Sequence, residues 1–219
     1  MGDFANERFR WLLTQRGYRY WTEDNLDEVI LVRGKRPDFY VKTPHGDFLA
    51  EVKSFEKESP LRFLRQAMAY NQRSILKRIR KKVNDAAEQL RPYQIVGIPL
   101  LIVLDNWRRV GIPSNITDLL DALFGEQQLW VPISSSADAG PVQWHHAHGR
   151  VLSPDYKLYV SAVAWNLPRN PSAEPPNCES DMYVRMVHNP FGIAHFPKEI
   201  FATADDVHWG REGNAWIKL

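Results

Sequence analysis

The sequence has little cysteine, no long hydrophobic run and almost no net charge. Its single cysteine, Cys178, excludes a disulfide framework within the chain and a zinc site built from several cysteines. No apolar run approaches the length of about 18 residues that a membrane-spanning helix needs, and no secretory signal is recognisable. The net charge of +2 is too small to indicate a nucleic-acid partner by itself. We therefore expect a soluble, cytoplasmic protein without a membrane partner.

Sequence motifs of several enzyme classes are also missing. The chain has no Gly-rich phosphate loop and no Gly-x-Ser-x-Gly motif. Histidines come close together in WHHAHGR, where His146 and His148 share one face of a predicted strand and can bind a transition metal. Because no cysteine lies nearby and the other histidines lack ligand spacing, exposed or hydrogen-bonded histidines are the favoured interpretation. The Asn and His spacing of an HNH-type nuclease is absent as well.

What the chain does contain is the composition of a globular domain. Hydrophobic residues make up 44% and charged residues 25% of the chain, which disfavours extensive disorder. Hydrophobic periodicity and turn residues predict a helix over 3–16, strands over 28–33, 38–43 and 48–54, a mostly helical stretch over 60–90, and a buried strand over 97–105. The predicted order of these elements is αβββαβ.

The second half of the chain is richer in predicted strands. The pattern predicts a helix over 116–125, strands within 128–133, 142–149, 156–165 and 182–190, and a proline-rich loop over 166–180. We expect these strands to extend the sheet of the first half. The domain prediction is therefore a core over 1–105 and a β-rich extension over 106–219, together one compact domain of the α/β (α+β) class.

Residues 36–55 have the apolar alternation of a β-hairpin. A four-residue turn at Pro44–Asp47 pairs Thr43 with Phe48 and sets the register of the two strands. In that register Phe39 faces Val52, Val41 faces Ala50, Asp38 faces Lys53 and Tyr40 faces Glu51. The four apolar residues then share one face of the hairpin, and the three charged residues share the other.

Two carboxylates and a lysine on one face have a chemical use. Asp38 and Glu51 repel one another unless a proton or a cation lies between them, and Mg²⁺ or Mn²⁺ takes oxygen ligands of this kind. The main-chain carbonyl of Val52 is a third candidate ligand. Lys53 can stabilise charge on phosphoryl oxygens or position a water molecule for attack. The alternative is a charged, solvated hairpin face with a cross-strand Asp–Lys pair.

Pro37-Asp38 followed by Glu51-Val52-Lys53 resembles the PD-(D/E)XK nuclease superfamily. The signature of that superfamily is Pro-Asp, a turn, and then Asp or Glu, any residue and Lys, and all four defining positions match. The resemblance covers roughly residues 3–105. It implies a restriction-endonuclease-like αβββαβ core, a central mixed sheet flanked by helices, metal binding by both acids and hydrolysis of phosphodiester bonds.

A further acid is implied by the same resemblance. Many members of the superfamily add a glutamate on the first helix, and Glu7 is the matching residue, just outside the apolar arc of the predicted helix. Glu7 is thus a candidate metal ligand, with Glu28 as a weaker substitute. The alternative is that Glu7 is simply an acid favoured by the helix macrodipole.

Positive charge is concentrated in one predicted helix. Residues 61–91 carry nine Lys or Arg against two acids. In ILKRIRKKVNDAAEQL the apolar positions form a stripe, and Arg78, Lys82 and Gln89 line one edge of it. With Lys81, these residues are candidates for contacts to a nucleic-acid backbone, and the resemblance implies that Gln89 or Lys82 supports the site. A solvated basic helix face is the alternative.

The sequence therefore predicts an enzyme, a Mg²⁺- or Mn²⁺-dependent nuclease, with DNA preferred over RNA. One alternative is a nucleic-acid-binding module of the same fold that has lost catalysis, and another is an interaction protein in which the hairpin charges are incidental. A homodimer, or a partner protein that supplies specificity, is compatible with the first hypothesis.

Overall fold

The structure is a computed structural model, and it describes residues 4–30, 35–55, 72–106, 115–125, 127–130, 143–146, 150–169, 182–213 and 215–219. The helices in these ranges are α1 (Phe4–Gln15), α2 (Gln72–Leu90) and α3 (Ile116–Phe124). The strands are β1 (Arg19–Thr22), β2 (Phe39–Thr43), β3 (Gly46–Ser54), β4 (Leu100–Asp105), β5 (Gln127–Trp130), β6 (Gln143–His146), β7 (Ala162–Pro168), β8 (Met182–His188), β9 (Val207–Glu212) and β10 (Ala215–Lys218). Short 3-10 segments span Glu23–Glu28 and Arg91–Val96.

Eight of these strands form one mixed sheet. Their order is β1-β2-β3-β4-β7-β8-β9-β10, and β5 and β6 pair in a separate two-stranded sheet. Strands β1 to β3 form an antiparallel meander, whereas β3, β4 and β7 are parallel neighbours. Parallel neighbours need a crossover connection, which α2 supplies between β3 and β4. The predicted mixed α/β class is confirmed, and β7 to β10 continue the sheet beyond β4.

Helices cover both faces of the sheet. Alternate residues of the hairpin point to α1, and this side of the core contains Phe39, Val41, Phe48, Ala50 and Val52 together with Phe9 and Leu12 of α1. The opposite side is covered by α2 and α3, and the apolar stripe of α2 is fully buried there. Because successive side chains of a strand point to opposite faces, alternate residues of the hairpin pack into the two hydrophobic clusters on either side of the sheet. No helix in the described ranges is both long enough and apolar enough to cross a membrane.

The first strand does not lie where the pattern predicts it. The prediction was a strand over 28–33, but the strand that pairs with β2 is β1, and residues 28–30 end a 3-10 segment and form the turn after it. The main-chain N–H of Thr22 donates to the side-chain oxygen of Asn25 at 2.8 Å. Such a local side-chain bond competes with strand pairing and turns the chain away from the sheet. Residues 31–34 lie outside the described ranges.

The turn of the β2/β3 hairpin is shorter than predicted. Only Pro44 and His45 form the loop, so Thr43 faces Gly46 and not Phe48. Gly46 has a φ of +130°, which residues with a side chain rarely adopt, and strand pairing can therefore begin at this glycine. The predicted four-residue turn is wrong for this reason.

The shorter turn shifts the register by two residues. The observed pairs are Phe39 with Ala50, Tyr40 with Leu49, Val41 with Phe48 and Lys42 with Asp47, in place of all four predicted pairs. A shift of two leaves every side chain on its predicted face, because neighbouring side chains alternate. The same register, extended by one residue, places Asp38 level with Glu51.

The second half of the chain differs from the prediction in three ways. Strands β5 and β6 fall within 128–133 and 142–149 apart from one residue, but they do not extend the main sheet. In 156–165 only the end is strand, because β7 begins at Ala162 and continues into the predicted loop as far as Pro168. Strands β9 and β10 were not predicted. Parts of the predictions over 60–71, 131–133, 147–149 and 170–180 lie outside the described residues.

Candidate metal and catalytic site

The candidate site lies where β2 and β3 separate. The β2 ladder begins at Phe39 opposite Ala50, while β3 continues to Ser54 paired with β4 on its other edge. The main-chain N–H of Val52 has no β2 residue opposite it and donates instead to Asp38 Oδ2 at 2.7 Å. The Asp38 carboxylate therefore takes the place of a strand at this edge.

Asp38 is also oriented by the first helix. The side-chain N–H of Asn6 in α1 donates to Asp38 Oδ1 at 3.3 Å. Hydrogen bonds on both oxygens restrict the rotation of the carboxylate. The half-buried Asp38 side chain is thus held at the rim of the sheet by one residue from α1 and one from β3.

Glu51 is fully buried on the α2 side of β3, and its two oxygens differ. Oε1 accepts a hydrogen bond from Lys53 Nζ, whereas Oε2 has no hydrogen-bond partner among the described residues. Burial and then the nearby charge of Asp38 raise the pKa of Glu51 to about 8, although Lys53 acts in the opposite direction. A buried carboxylate with one bare oxygen is costly unless a proton or a cation compensates it.

Lys53 connects the site to α2. Its ammonium group contacts Glu51 and also donates to Gln89 Oε1 at 3.3 Å. The amide N–H of Gln89 in turn donates to the carbonyl of Arg36 at 3.1 Å. Because the side chain of Lys53 is 22% exposed, it lies between the buried acid and solvent. Gln89 therefore positions both the lysine and the chain segment that leads into Asp38.

These residues suit a hard divalent cation. The bare Glu51 Oε2 and the Asp38 carboxylate supply anionic oxygen, the ligand type that Mg²⁺ and Mn²⁺ prefer. The carbonyl of Val52 points to the same strand edge as its N–H, toward Asp38, because the two groups of one strand residue share an edge. Asp38 thus lies next to Val52 and close enough to Glu51 to raise its pKa, and metal binding by these groups stays a prediction.

Glu7 does not join this group directly. It is half-buried on α1, and the residue of α1 that bonds to Asp38 is its neighbour Asn6. Within the described part of the chain, no three His, Cys, Asp or Glu side chains are grouped closely enough to hold a metal ion. A role for Glu7 as a ligand stays a prediction.

The predicted nucleic-acid-binding residues lie on two different faces of α2. Gln89 faces Lys53, and Lys82 is on the same edge, with its ammonium 5.8 Å from the ring centre of Phe55 at the end of β3. Arg78 lies one turn beyond Lys82, and partial burial lowers its pKa from the usual range. Lys81 is exposed and turned away from this edge. Gln89 thus contacts the candidate site, Lys82 and Arg78 continue along the same edge of α2, and Lys81 lies on another face.

A buried ion pair next to the site was not predicted from the sequence. Arg8 of α1 is fully buried, and its Nε donates to Asp105 Oδ1 at 3.0 Å. Asp105 ends β4 directly beside Ser54, and Asn166 of β7 also donates to it, at 3.4 Å. The pair fastens α1 to the carboxyl ends of the central strands. In the sequence, Asp105 is visible as an acid at the end of a buried apolar run. This position indicates the end of a strand, but it does not identify Arg8 as the residue that pairs with the acid.

The histidines do not form a metal site in the described residues. Only the backbone of His146 in β6 is described, and His148 lies outside the described ranges. A different pair lies together at the far side of the sheet, where His188 Nε2 and His208 Nδ1 are 2.8 Å apart. His208 Nε2 is 2.9 Å from the carbonyl of Phe201 and must donate to it, so His208 accepts from His188.

Comparison with known proteins gives no match: no protein-family model, curated protein or solved structure is significantly similar to the chain. The geometry of the candidate site therefore carries the functional argument alone.

Proposed function

We propose that the protein is a divalent-metal-dependent nuclease of the PD-(D/E)XK type that hydrolyses phosphodiester bonds, with DNA as the preferred substrate. The observation that carries this proposal is the buried Glu51 carboxylate, whose Oε2 lacks a partner in the described chain. It lies in one cluster with Asp38 and Lys53. Most buried polar side-chain atoms have a hydrogen-bond partner, so a buried carboxylate oxygen without one is unusual and is available as a metal ligand.

The order of the first elements supports the same proposal. Among the described helices and strands, the order up to Asp105 is α1, β1, β2, β3, α2 and β4, or αβββαβ, with the two acids in the β2/β3 hairpin region. We therefore assign the region up to Asp105 to a restriction-endonuclease-like core, as the resemblance of the hairpin motif implies. The strands that follow β4 extend this core in the proposal.

The proposed roles follow from the contacts of each side chain. Asp38 and Glu51, with the Val52 carbonyl, would hold Mg²⁺ or Mn²⁺, which supplies stabilisation of the charge on the scissile phosphate. Asn6 keeps the Asp38 carboxylate in the orientation set by Val52 N–H. Burial keeps water away from Glu51, and Lys53 compensates its charge only in part, so a bound cation would complete the compensation.

Lys53 has a separate role. Its ammonium is partly exposed and held by Glu51 and Gln89, which fixes it beside the place where a phosphate group would lie. From there it can donate a hydrogen bond to a phosphoryl oxygen or to the attacking water. Lys82 and Arg78 continue the positive edge along α2 and would contact the backbone next to the scissile bond.

The proposal is tested by cleavage of plasmid and labelled oligonucleotides with and without Mg²⁺ or Mn²⁺. We expect metal-dependent cleavage by the wild type and a loss of at least about a hundredfold for Asp38→Asn and for Lys53→Ala. The matched controls are Asp24→Asn and Lys42→Ala, two exposed residues outside the site. Both controls should retain the wild-type rate.

Two results would contradict the proposal. Cleavage that persists in chelator excludes a metal-dependent site, and full activity in Asp38→Asn excludes its assigned role. Nucleic-acid binding by the wild type and both site variants, with no cleavage by any of them, would favour a binding module of the same fold that has lost catalysis.

A further inference from the structure

The positive charge of α2 is divided between two faces of the helix. Arg78 and Lys82 lie on the edge that borders the candidate site, as described above. Arg73, Lys77 and Lys81 follow one another at intervals of four residues on a second face. All three are exposed, and none has an ion-pair or hydrogen-bond partner in the described part of the chain. This second face is not explained by the proposed catalytic role.

The second face forms an open groove with a volume of about 710 Å³. The described residues that line it are Arg73, Lys77, Arg80, Lys81, Asn84 and Asp85. Four cations therefore surround the groove against one acid, in a chain whose whole net charge is +2. Such an arrangement attracts a polyanion and repels a basic partner.

One of the four cations has a structural role in addition. Arg80 donates from Nη2 to the carbonyl of Asp121 at 3.1 Å and from Nε to that of Ala122 at 3.4 Å, near the end of α3. Both carbonyls lie in the last turn of α3, and that of Asp121 also accepts from the main-chain N–H of Gly125. Arg73, Lys77 and Lys81 remain available for a ligand.

A buried lysine adds charge to the wall of the groove. Lys157 is 5% exposed, and its ammonium donates to the side-chain oxygen of Asn84, one of the lining residues. Its other described contact is the ring face of Tyr156 at 4.6 Å, and no carboxylate pairs with it among the described residues. A buried cation without an acid is compensated when an anion binds nearby.

We propose that this groove is a second binding site for the phosphodiester backbone of a nucleic acid, separate from the site at Asp38 and Glu51. The i, i+4 spacing places Arg73, Lys77 and Lys81 about 6 Å apart along the helix, so each can contact a different phosphate of one strand. The occupant is the part of the nucleic acid that is not being cleaved. That the bound strand belongs to the substrate rests on the proposed function, whereas binding of a nucleic acid by the groove does not.

The test measures binding without cleavage. The triple variant Arg73→Gln, Lys77→Gln, Lys81→Gln leaves Arg80 in place. Its control is Lys42→Gln, Lys198→Gln, Lys218→Gln, three exposed lysines elsewhere whose loss changes the net charge equally. Fluorescence anisotropy in chelator, over a range of salt concentrations, gives the affinity for duplex DNA, single-stranded DNA and single-stranded RNA of one sequence.

We expect the groove variant to bind at least about tenfold more weakly at about 0.1 M salt. We also expect a plot of the logarithm of the binding constant against the logarithm of the salt concentration to become shallower. Its negative slope should be smaller in magnitude by roughly 2 to 3 than that of the control, because three phosphate contacts are lost. Equal slopes for the two variants, or no binding by the wild type, would overturn the inference. Binding that depends on the groove in a protein that cleaves nothing would refute the nuclease proposal and leave the groove intact.

Discussion

Two buried carboxylates, Asp206 and Glu51, show the difference between an acid that holds the fold together and one that is available for chemistry. Asp206 Oδ1 accepts from Val184 N–H at 2.7 Å, and its Oδ2 accepts from the hydroxyl of Thr203 at 2.7 Å. Arg16 at the end of α1 adds an ion pair at 3.0 Å. Glu51 is equally inaccessible, yet one of its oxygens has no partner in the described chain.

The surroundings of the two acids explain the contrast. Asp206 is paired with Arg16, and both of its oxygens accept hydrogen bonds that compensate its burial. Glu51 has Lys53 on one side and Asp38 on the other, and burial and Asp38 together outweigh the lysine and raise the pKa of Glu51 to about 8. Because Oε2 of Glu51 also lacks a partner in the described chain, either a proton or a cation can compensate this carboxylate. We therefore expect substitutions at the two acids to act on different properties.

The largest expected effect is on catalysis. Glu51→Gln keeps the shape of the side chain and removes its negative charge, so we expect the cleavage rate to fall about a thousandfold, equivalent to about 4 kcal/mol in the activation barrier. Asp206→Asn, normalised to folded protein, should leave the rate within about threefold. The measurement is single-turnover cleavage of a labelled oligonucleotide in Mn²⁺. A comparable loss in both variants would remove the distinction between the two acids.

The next effect is on stability, where we expect the substitution at Asp206 to have a larger effect than the substitution at Glu51. Asp206→Ala removes the carboxylate that pairs with Arg16 and that accepts from two main-chain N–H groups, and we expect a loss of about 3 kcal/mol in the free energy of unfolding. Glu51→Gln should change it by less than about 1 kcal/mol, because the charge that is removed lacks full compensation. Urea unfolding monitored by tryptophan fluorescence, in chelator, gives both values. A larger loss for Glu51→Gln would make Glu51 the structural acid.

Metal ions should sharpen the same contrast. A ligand that binds only the folded state adds about 2.7 kcal/mol of stability at a concentration of 100 times its dissociation constant. We expect Mn²⁺ to raise the unfolding temperature of the wild type and of Asp206→Asn, but not of Glu51→Gln. Na⁺ at matched ionic strength serves as the control for screening. Equal stabilisation of Glu51→Gln would place the metal elsewhere.

A smaller effect on stability concerns the pair His188 and His208, where burial disfavours a positive charge and not a negative one. Burial, and then His208 and His195, lower the pKa of His188 to about 4 from its ordinary value of 6.5. The folded protein favours the neutral form of His188. The contribution of this histidine to the free energy of unfolding is therefore fully present above pH 6.5 and is lost as the pH falls from 6.5 toward 4.

The variant His188→Gln should therefore lose less stability than the wild type between pH 6.5 and pH 4. We expect a difference on the order of 2 kcal/mol across this window, measured by urea unfolding at several pH values. Parallel curves for the two proteins would show that His188 does not titrate differently in the folded state.

The sequence allowed the faces of the hairpin to be predicted better than its register. Side-chain alternation survives a register shift of two residues, so the faces of Phe39 and Glu51 were predictable without the turn. The register itself depended on the conformation of Gly46, which the residue type permits but does not require. The convergence of Asp38, Glu51 and Lys53 was therefore deducible, whereas their exact partners were not.

Residues that act through tertiary contacts were not predictable in the same way. Asn6 reaches Asp38 across 32 positions, and Arg8 reaches Asp105 across 97, and neither spacing is visible in a local pattern. Strands β9 and β10 were missed because they are short and carry a mixed burial pattern. Local periodicity predicts elements and faces, and contacts between distant elements need the folded chain.

We propose above that Oε2 of Glu51 and the carboxylate of Asp38 bind one divalent cation. The most direct measurement is the anomalous scattering of a crystal soaked in Mn²⁺. We expect a single strong peak at roughly 2.0–2.3 Å from Glu51 Oε2 and from an oxygen of Asp38, and no such peak in Glu51→Gln. Wild-type crystals in which Lys53 alone occupies the space beside Glu51, with no peak at these two acids, would contradict the claim.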